Sequence, residues 1–104
     1  MKFVRINATG DGDNELVAAA AVAEDKRIRV LGYVLTGLGT GVASFQGTES
    51  SPTIVASFEF STVGAVSYAG TLESPAFDLP LGVGLEITNA AGVDTLGHLS
   101  YELV

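Results

Sequence analysis

The stretch ELVAAAAVAEDKRIRVLGYVL, residues 15–35, decides between two fold classes. Its four consecutive alanines are typical of a helix, whereas the IRVLGYVL that follows is rich in the β-branched and aromatic residues of strands. A helix over residues 15–23 would be only about nine residues long, which is marginal without a helical partner, and no glycine follows to end it. We therefore predict a β-hairpin in which LVAAAAV pairs with RIRVLGYVL across the Glu24-Asp25 turn.

Alternation with a period of two runs through the rest of the chain and predicts strands. In five runs the following residues are expected to share one face: Val4, Ile6 and Ala8; Ile28, Val30, Gly32 and Val34; Ile54, Ala56, Phe58 and Phe60; Leu81, Val83, Leu85 and Ile87; and Leu99, Tyr101 and Leu103. Segments rich in Gly, Pro, Asn and Ser separate the runs, and no convincing helix lies between them. The pattern predicts an all-β fold, a single-domain antiparallel β-sandwich that is jelly-roll-like.

The length of 104 residues fits one domain. We expect residues 1–10 to form an N-terminal strand or short arm and residues 11–104 to form the sandwich. The N-terminus carries no apolar segment of the kind found in signal peptides, and the run LVAAAAVA is too short to span a bilayer. There is no cysteine, so neither disulfides nor thiolate metal sites are expected.

The charge is unevenly distributed along the chain. The net charge is −7, and all five basic residues lie within the first 29 positions. From Val30 onward there are seven acidic residues and no Lys or Arg. Because such a surface repels phosphate groups, we expect no binding to nucleic acid or to an anionic membrane.

Two acidic features have the residue types of known sites. The segment from Asp11 to Glu15 resembles part of a calcium loop, but Val22 stands where an EF-hand needs its bidentate acid, so we predict a polar turn. Paired glutamates could hydrolyse glycosides, and the candidates are Glu59, Glu73, Glu86 and Glu102. Sugar sites also favour aromatic platforms, yet the chain has no Trp, and Phe58, Phe60 and Tyr101 are expected in the core.

His98 is the single histidine, and with Asp94 and Ser100 it supplies the residue types of a catalytic triad. All three lie close together on one predicted strand, which does not place a nucleophile against its base, and no oxyanion loop is evident. No glycine-rich loop opens a helix, so nucleotide binding has no support. We predict no catalytic residues, no cofactor and no metal, and therefore no enzyme.

Lys26, Arg27 and Arg29 form the one basic cluster. One interpretation is a solvated turn that pairs locally with Glu24 and Asp25. The other is a partner-contact patch for an acidic surface, including the acid-rich part of a neighbouring copy.

Four pieces of the chain follow a recurring layout. They are NELVAAAAVAEDKRIRVLGYVL, VASFQGTESSPTIVASFEF, SPAFDLPLGVGLEIT and AGVDTLGHLSYELV, and together they extend over residues 14–104. In this spacing and turn chemistry the chain resembles the small jelly-roll decoration, or cement, proteins of tailed-bacteriophage virions. Some of these proteins use an extended N-terminal arm to reach neighbours, and MKFVRINATG is the only candidate for such an arm here.

The resemblance implies a non-enzymatic virion structural protein that decorates and stabilises the outer capsid surface as a homotrimer. Its implied partners are further copies of itself and the major capsid protein, and its implied location is the virion surface after synthesis in the host cytoplasm. The alternative is a carbohydrate-binding or fibre-tip domain that recognises a host glycan.

Overall fold

Nine β-strands form two antiparallel sheets that pack face to face, and the computed structural model describes all residues from 1 to 104. The strands are β1 (Lys2–Ala8), β2 (Gly12–Val17), β3 (Ile28–Gly39), β4 (Gly41–Gly47), β5 (Ile54–Phe60), β6 (Val63–Tyr68), β7 (Phe77–Asp78), β8 (Leu85–Asn89) and β9 (Val93–Leu103). The five-stranded sheet has the order β1-β9-β3-β6, with β7 also paired to β3, and the four-stranded sheet has the order β2-β8-β4-β5. The predicted all-β, single-domain antiparallel sandwich is confirmed.

The strand order is that of a jelly roll with β7 added to the usual eight strands. Consecutive strands mostly lie in opposite sheets, so the chain repeatedly crosses from one layer to the other. Sixteen buried apolar residues from both sheets form one continuous core. The only helix is a single 3-10 turn, Ala19–Ala21, and no helix is long and apolar enough to cross a membrane.

The predicted hairpin across Glu24-Asp25 is wrong. Strand β2 ends at Val17 and pairs with β8, whereas β3 begins at Ile28 in the other sheet. The alanines form neither a strand nor a long helix, because they carry the chain across one end of the sandwich. The backbone of Ala18 and Ala19 comes so close to Gly84 that a Cβ there would collide with it, whereas the side chains of Ala19–Ala21 are exposed.

A β-bulge at Leu31 reverses the two faces of β3. Ile28 and Val30 point into the core, and the pairing with β9 then shifts between Val30 and Gly32. Beyond the bulge Leu35 points inward and Val34 is exposed. The prediction that Val34 shares a face with Ile28 is therefore wrong, because the extra residue exchanges the two sides of the strand.

The other predicted faces hold along most of their length. Ile6 and Ala8 on β1 and Leu99 and Tyr101 on β9 are buried as expected, as are Leu85, Ile87 and Phe60, whereas Val4 and Leu103 near the strand ends are half-buried. Ile54 and Leu81 are exposed instead. Ile54 lies at a pairing irregularity between β4 and β5, and Leu81 precedes the start of β8.

A buried polar network joins the two sheets at one end. The Asn89 side chain on β8 donates to the carbonyl oxygens of Ala8 (3.0 Å) and Gly10 (3.3 Å), and it accepts from the Thr95 hydroxyl on β9 (3.2 Å). Asn89 and Thr95 are both buried, and no buried side-chain polar atom lacks a partner. A satisfied network of this kind stabilises one arrangement of the sheets, because separating them would leave buried groups unpaired.

Phe60 closes the sandwich by packing against two glycines of the opposite sheet. Gly37 on β3 and Gly64 on β6 are paired in register and face the core. A Cβ on Gly37 would overlap the Phe60 ring, and one on Gly64 would come within 3.1 Å of it. Because the two glycines have no side chains, they leave the space that the Phe60 ring fills.

We expect Gly37→Ala to destabilise the fold by about 1–3 kcal/mol, because the new methyl group must displace the ring in a close-packed core. Gly64→Ala is the matched control and should cost less, since its contact with the ring is looser. Urea unfolding of both variants measures the difference. A Gly37→Ala variant as stable as wild type would contradict this account of the Phe60 packing.

Candidate functional site

The triad candidates are not assembled. The outward side of β9 carries Asp94, His98 and Ser100. Asp94 and His98 are four positions apart, which is roughly 13 Å along an extended strand. The Asp94 carboxylate instead accepts a hydrogen bond from the Gly10 backbone N–H at 2.7 Å. No proton relay from Asp94 to Ser100 is formed.

The four candidate glutamates are dispersed over the surface. Glu59 and Glu86 share the outer side of the four-stranded sheet. Each is paired with a residue of β4, and these two partner residues are four positions apart, roughly 13 Å along the strand. Glu102 lies on the other sheet and Glu73 lies in the loop between β6 and β7. No pair has the arrangement that glycoside hydrolysis requires.

The predicted polar turn from Asp11 to Glu15 is wrong, because only Asp11 lies before the strand and Gly12 to Glu15 pair with β8 as part of β2. Asp13 and Glu15 then point to the outer side of the four-stranded sheet, and the Asn14 side chain donates to the Gly12 carbonyl oxygen (3.3 Å). The chain contains no group of three or more His, Asp or Glu side chains placed to hold a metal ion.

Arg29 of the basic cluster is engaged inside the chain. Its Nε and Nη2 atoms donate to the two carboxylate oxygens of Asp78 at 2.8 and 2.9 Å, a bidentate pair. Nη1 contacts the carbonyl oxygen of Leu72 at 3.4 Å. Lys26 is exposed and Arg27 is half-buried, and neither forms an ion pair. The local pairing expected with Glu24 and Asp25 is wrong, because Arg29 pairs with an acid brought in by β7.

Arg29 belongs to a row of alternating charges across one end of the five-stranded sheet. The N-terminal ammonium of Met1 contacts Glu102 at 2.7 Å, and Glu102 lies opposite Arg29 in the β3–β9 register. Asp78 completes the row on β7. The Arg29 guanidinium, through its hydrogen bond, holds the pKa of Asp78 below its usual value, and the charge of Arg27 acts in the same direction. The row ties the loop after β6 to the sheet.

The outer side of the four-stranded sheet is an acidic face, defined by Asp13, Glu15, Glu59 and Glu86. None of the four strands contains Lys or Arg. Glu86 stands directly opposite Glu15 on the neighbouring strand. Burial and the nearby charge of Asp13 raise the pKa of Glu86 above its usual value, and Glu15 adds to the effect.

The outer side of the five-stranded sheet, which we name the five-stranded face, carries several exposed apolar residues among polar ones. Its exposed apolar residues are Phe3, Val34, Leu38, Val63 and Leu96. They come from all four long strands of the sheet and face outward by the pairing registers. An antiparallel sheet with one solvated side normally places polar residues at such positions.

A groove of about 250 Å³ opens on the five-stranded face. Gly32 lies within it, and Phe3 and Tyr68 flank it with His98 and Ser100 as polar neighbours. The bulge at Leu31 turns Gly32 outward. Sequence reasoning did not identify Phe3 and Tyr68 as exposed aromatic residues, although the outward position of Phe3 follows from the alternation of β1.

A second depression, of about 270 Å³, lies where β1 meets β2. It is lined mainly by polar side chains, namely Arg5, Asn7, Asn14 and Glu15.

Comparisons with known proteins do not place the chain in a family. A scan against protein-family models gives no match, and a search of curated proteins finds no matching protein.

We expect Asp78→Asn to lower stability at pH 7 through loss of the ion pair with Arg29. Because the pKa of Asp78 is lowered in the folded state, the pair stabilises the fold above the ordinary value of 3.8 and is lost as the pH falls through the folded-state pKa. The difference between wild type and variant should therefore vanish in strong acid. Urea unfolding across the acid range measures it, with Glu73→Gln in the loop before β7 as control. A difference independent of pH would argue against the ion pair.

We expect Glu86→Gln to raise stability at pH 7 by a few tenths to about 1 kcal/mol, because it removes a like-charge pair across two strands. The sign follows from the raised pKa: wild type gains stability as the pH falls through the folded-state pKa towards 4.5, whereas the variant lacks that gain.

Glu59→Gln is the matched control for Glu86→Gln, since Glu59 lies opposite Val42 rather than an acid. Urea unfolding at pH 7 and at pH 4.5 measures both variants. Equal effects of the two changes would contradict the role assigned to Glu15 and Asp13.

Proposed function

We propose that the chain is a non-enzymatic structural protein of a phage virion, which decorates and stabilises the outer capsid surface as a homotrimer. The observation that carries the proposal is the five-stranded face, which exposes apolar side chains on all four long strands. Exposed apolar patches of this kind mark interaction surfaces. The layout of residues 14–104, which resembles that of decoration proteins, gives the class of assembly.

The opposite surface has the chemistry of a virion exterior. The acidic face carries four carboxylates and no basic residue, so copies crowded on a particle would repel one another there and stay soluble. Contacts too weak to hold one copy add up when several linked copies engage a repeating shell. The proposed partners are other copies of the chain and the major capsid protein, at the virion surface after synthesis in the host cytoplasm.

The remaining basic residues offer a contact to the shell. Lys26 and Arg27 have no ion pair within the chain and lie near the β2–β3 crossing, so they can meet an acidic surface of the capsid protein. Arg29 contributes less to such a contact, because Asp78 already neutralises it.

We expect the purified chain to approach three times its 10.6 kDa mass at high concentration in light scattering. It should also co-sediment with empty shells of its own phage and raise the temperature at which they rupture. Shells of an unrelated phage are the control, and Lys26→Glu together with Arg27→Glu should weaken binding. Failure to bind its own shell would refute the proposal.

A second candidate is glycan binding, favoured by the groove between Phe3 and Tyr68. Aromatic rings with a few polar neighbours are the usual lining of small-ligand sites. Phe3 is exposed, whereas the Tyr68 ring stacks on Tyr33 and its hydroxyl donates to the Ser74 carbonyl oxygen. A glycan array tests this candidate, with Phe3→Ala as the variant that should lose binding.

A further inference from the structure

We propose that the five-stranded face is the surface through which a second copy of this chain binds. The inference deepens the proposed function, because it names the interface of the proposed oligomer. It also gives the groove at Gly32 an occupant, namely apolar side chains of the neighbouring copy.

Four of the apolar residues of this face form a cluster. Leu38 lies directly opposite Val63, within contact range. Leu96 lies two register pairs from Leu38 on one side and from Val34 on the other, a diagonal spacing that long side chains can bridge. Phe3 on β1 lies apart from the cluster, opposite Ser100.

Charge favours a copy of the same chain as the occupant. The net charge of the chain is −7. Inside the border of this face, however, the residues that can carry a charge are only Arg5 and His98 towards one end and Asp94 towards the other. The row of Met1, Glu102, Arg29 and Asp78 at its border is already paired internally. Copies that approach through any acidic surface repel one another. Around a three-fold axis, one part of this face meets a different part of the same face on the next copy, so that Arg5 of one copy can meet Asp94 of the next.

The size of the face predicts a moderate affinity. Four strands about 4.8 Å apart and seven residues about 3.4 Å apart cover on the order of 450 Å². The whole face, polar positions included, is about half of the roughly 800 Å² that each partner contributes to a standard interface. We therefore expect association to depend on concentration and to strengthen when copies are held side by side.

The chain offers two matched pairs of substitutions for the test. Val34 on the five-stranded face is 41% exposed, and Val42 on the outer side of the other sheet is 40% exposed. Val63 and Ile54 form a similar pair, at 70% and 61%. Glutamate at any of the four adds one negative charge, but at Val42 it stands directly opposite Glu59. Val63 and Ile54 are therefore the cleaner pair.

The experiment measures mass against concentration by light scattering, with far-UV circular dichroism to verify that each variant is folded. We expect wild type, Val42→Glu and Ile54→Glu to associate, and Val34→Glu and Val63→Glu to remain at 10.6 kDa over the same range. A wild type that stays at 10.6 kDa at every concentration overturns the inference. Equal effects of the two variants in a matched pair overturn it as well.

Shell binding separates this inference from the proposed function. If Val34→Glu dissolves the oligomer but wild type binds no shell, the interface stands and the virion role fails. If wild type binds its shell and all four variants still associate, the virion role stands and this interface fails.

Discussion

The pairing of β3 with β9 is the constraint on which the rest of the structure depends. Their register runs from Ile28 opposite Leu103 to Gly39 opposite Val93, and backbone hydrogen bonds between Arg27 and Val104 extend it by one residue. Every other strand of the five-stranded sheet is attached to one of these two. β1 pairs with β9, while β6 and β7 divide the length of β3 between them. The bulge within this pair decides which side chains of β3 enter the core and which lie on the five-stranded face.

Local alternation was sufficient to predict the fold class, because most strands have one buried and one solvated side. In β1 and β9 the predicted inward residues are buried, since no irregularity interrupts their pairing with each other. The bulge at Leu31 left no signal in the alternation, because apolar residues occupy both sides of β3 around it. Its outcome depends on β9, more than sixty residues away.

The alanine stretch illustrates a second limit. Alanine is small enough for a helix, a strand or a crossing between layers, so its local preference could not decide. In the structure the segment lies close to Gly84 and crosses between the layers.

The candidate sites show the same dependence on distant partners. The basic cluster could be recognised in the sequence, but the pairing of Arg29 with Asp78 requires the β3–β7 register. The five-stranded face was not predicted, because it combines outward residues from four strands whose order was unknown.

The position of β9 has a consequence for how the protein is made. It is the last of the nine strands to be synthesised, yet it lies in the interior of its sheet with β1 on one side and β3 on the other. Until β9 has left the ribosome, β1 has no partner and β3 lacks its longest one. Contacts between such distant segments slow folding, since a long loop must close before they form. Nascent chains should therefore stay open to proteases and chaperones until all of β9, to Leu103, has left the ribosome.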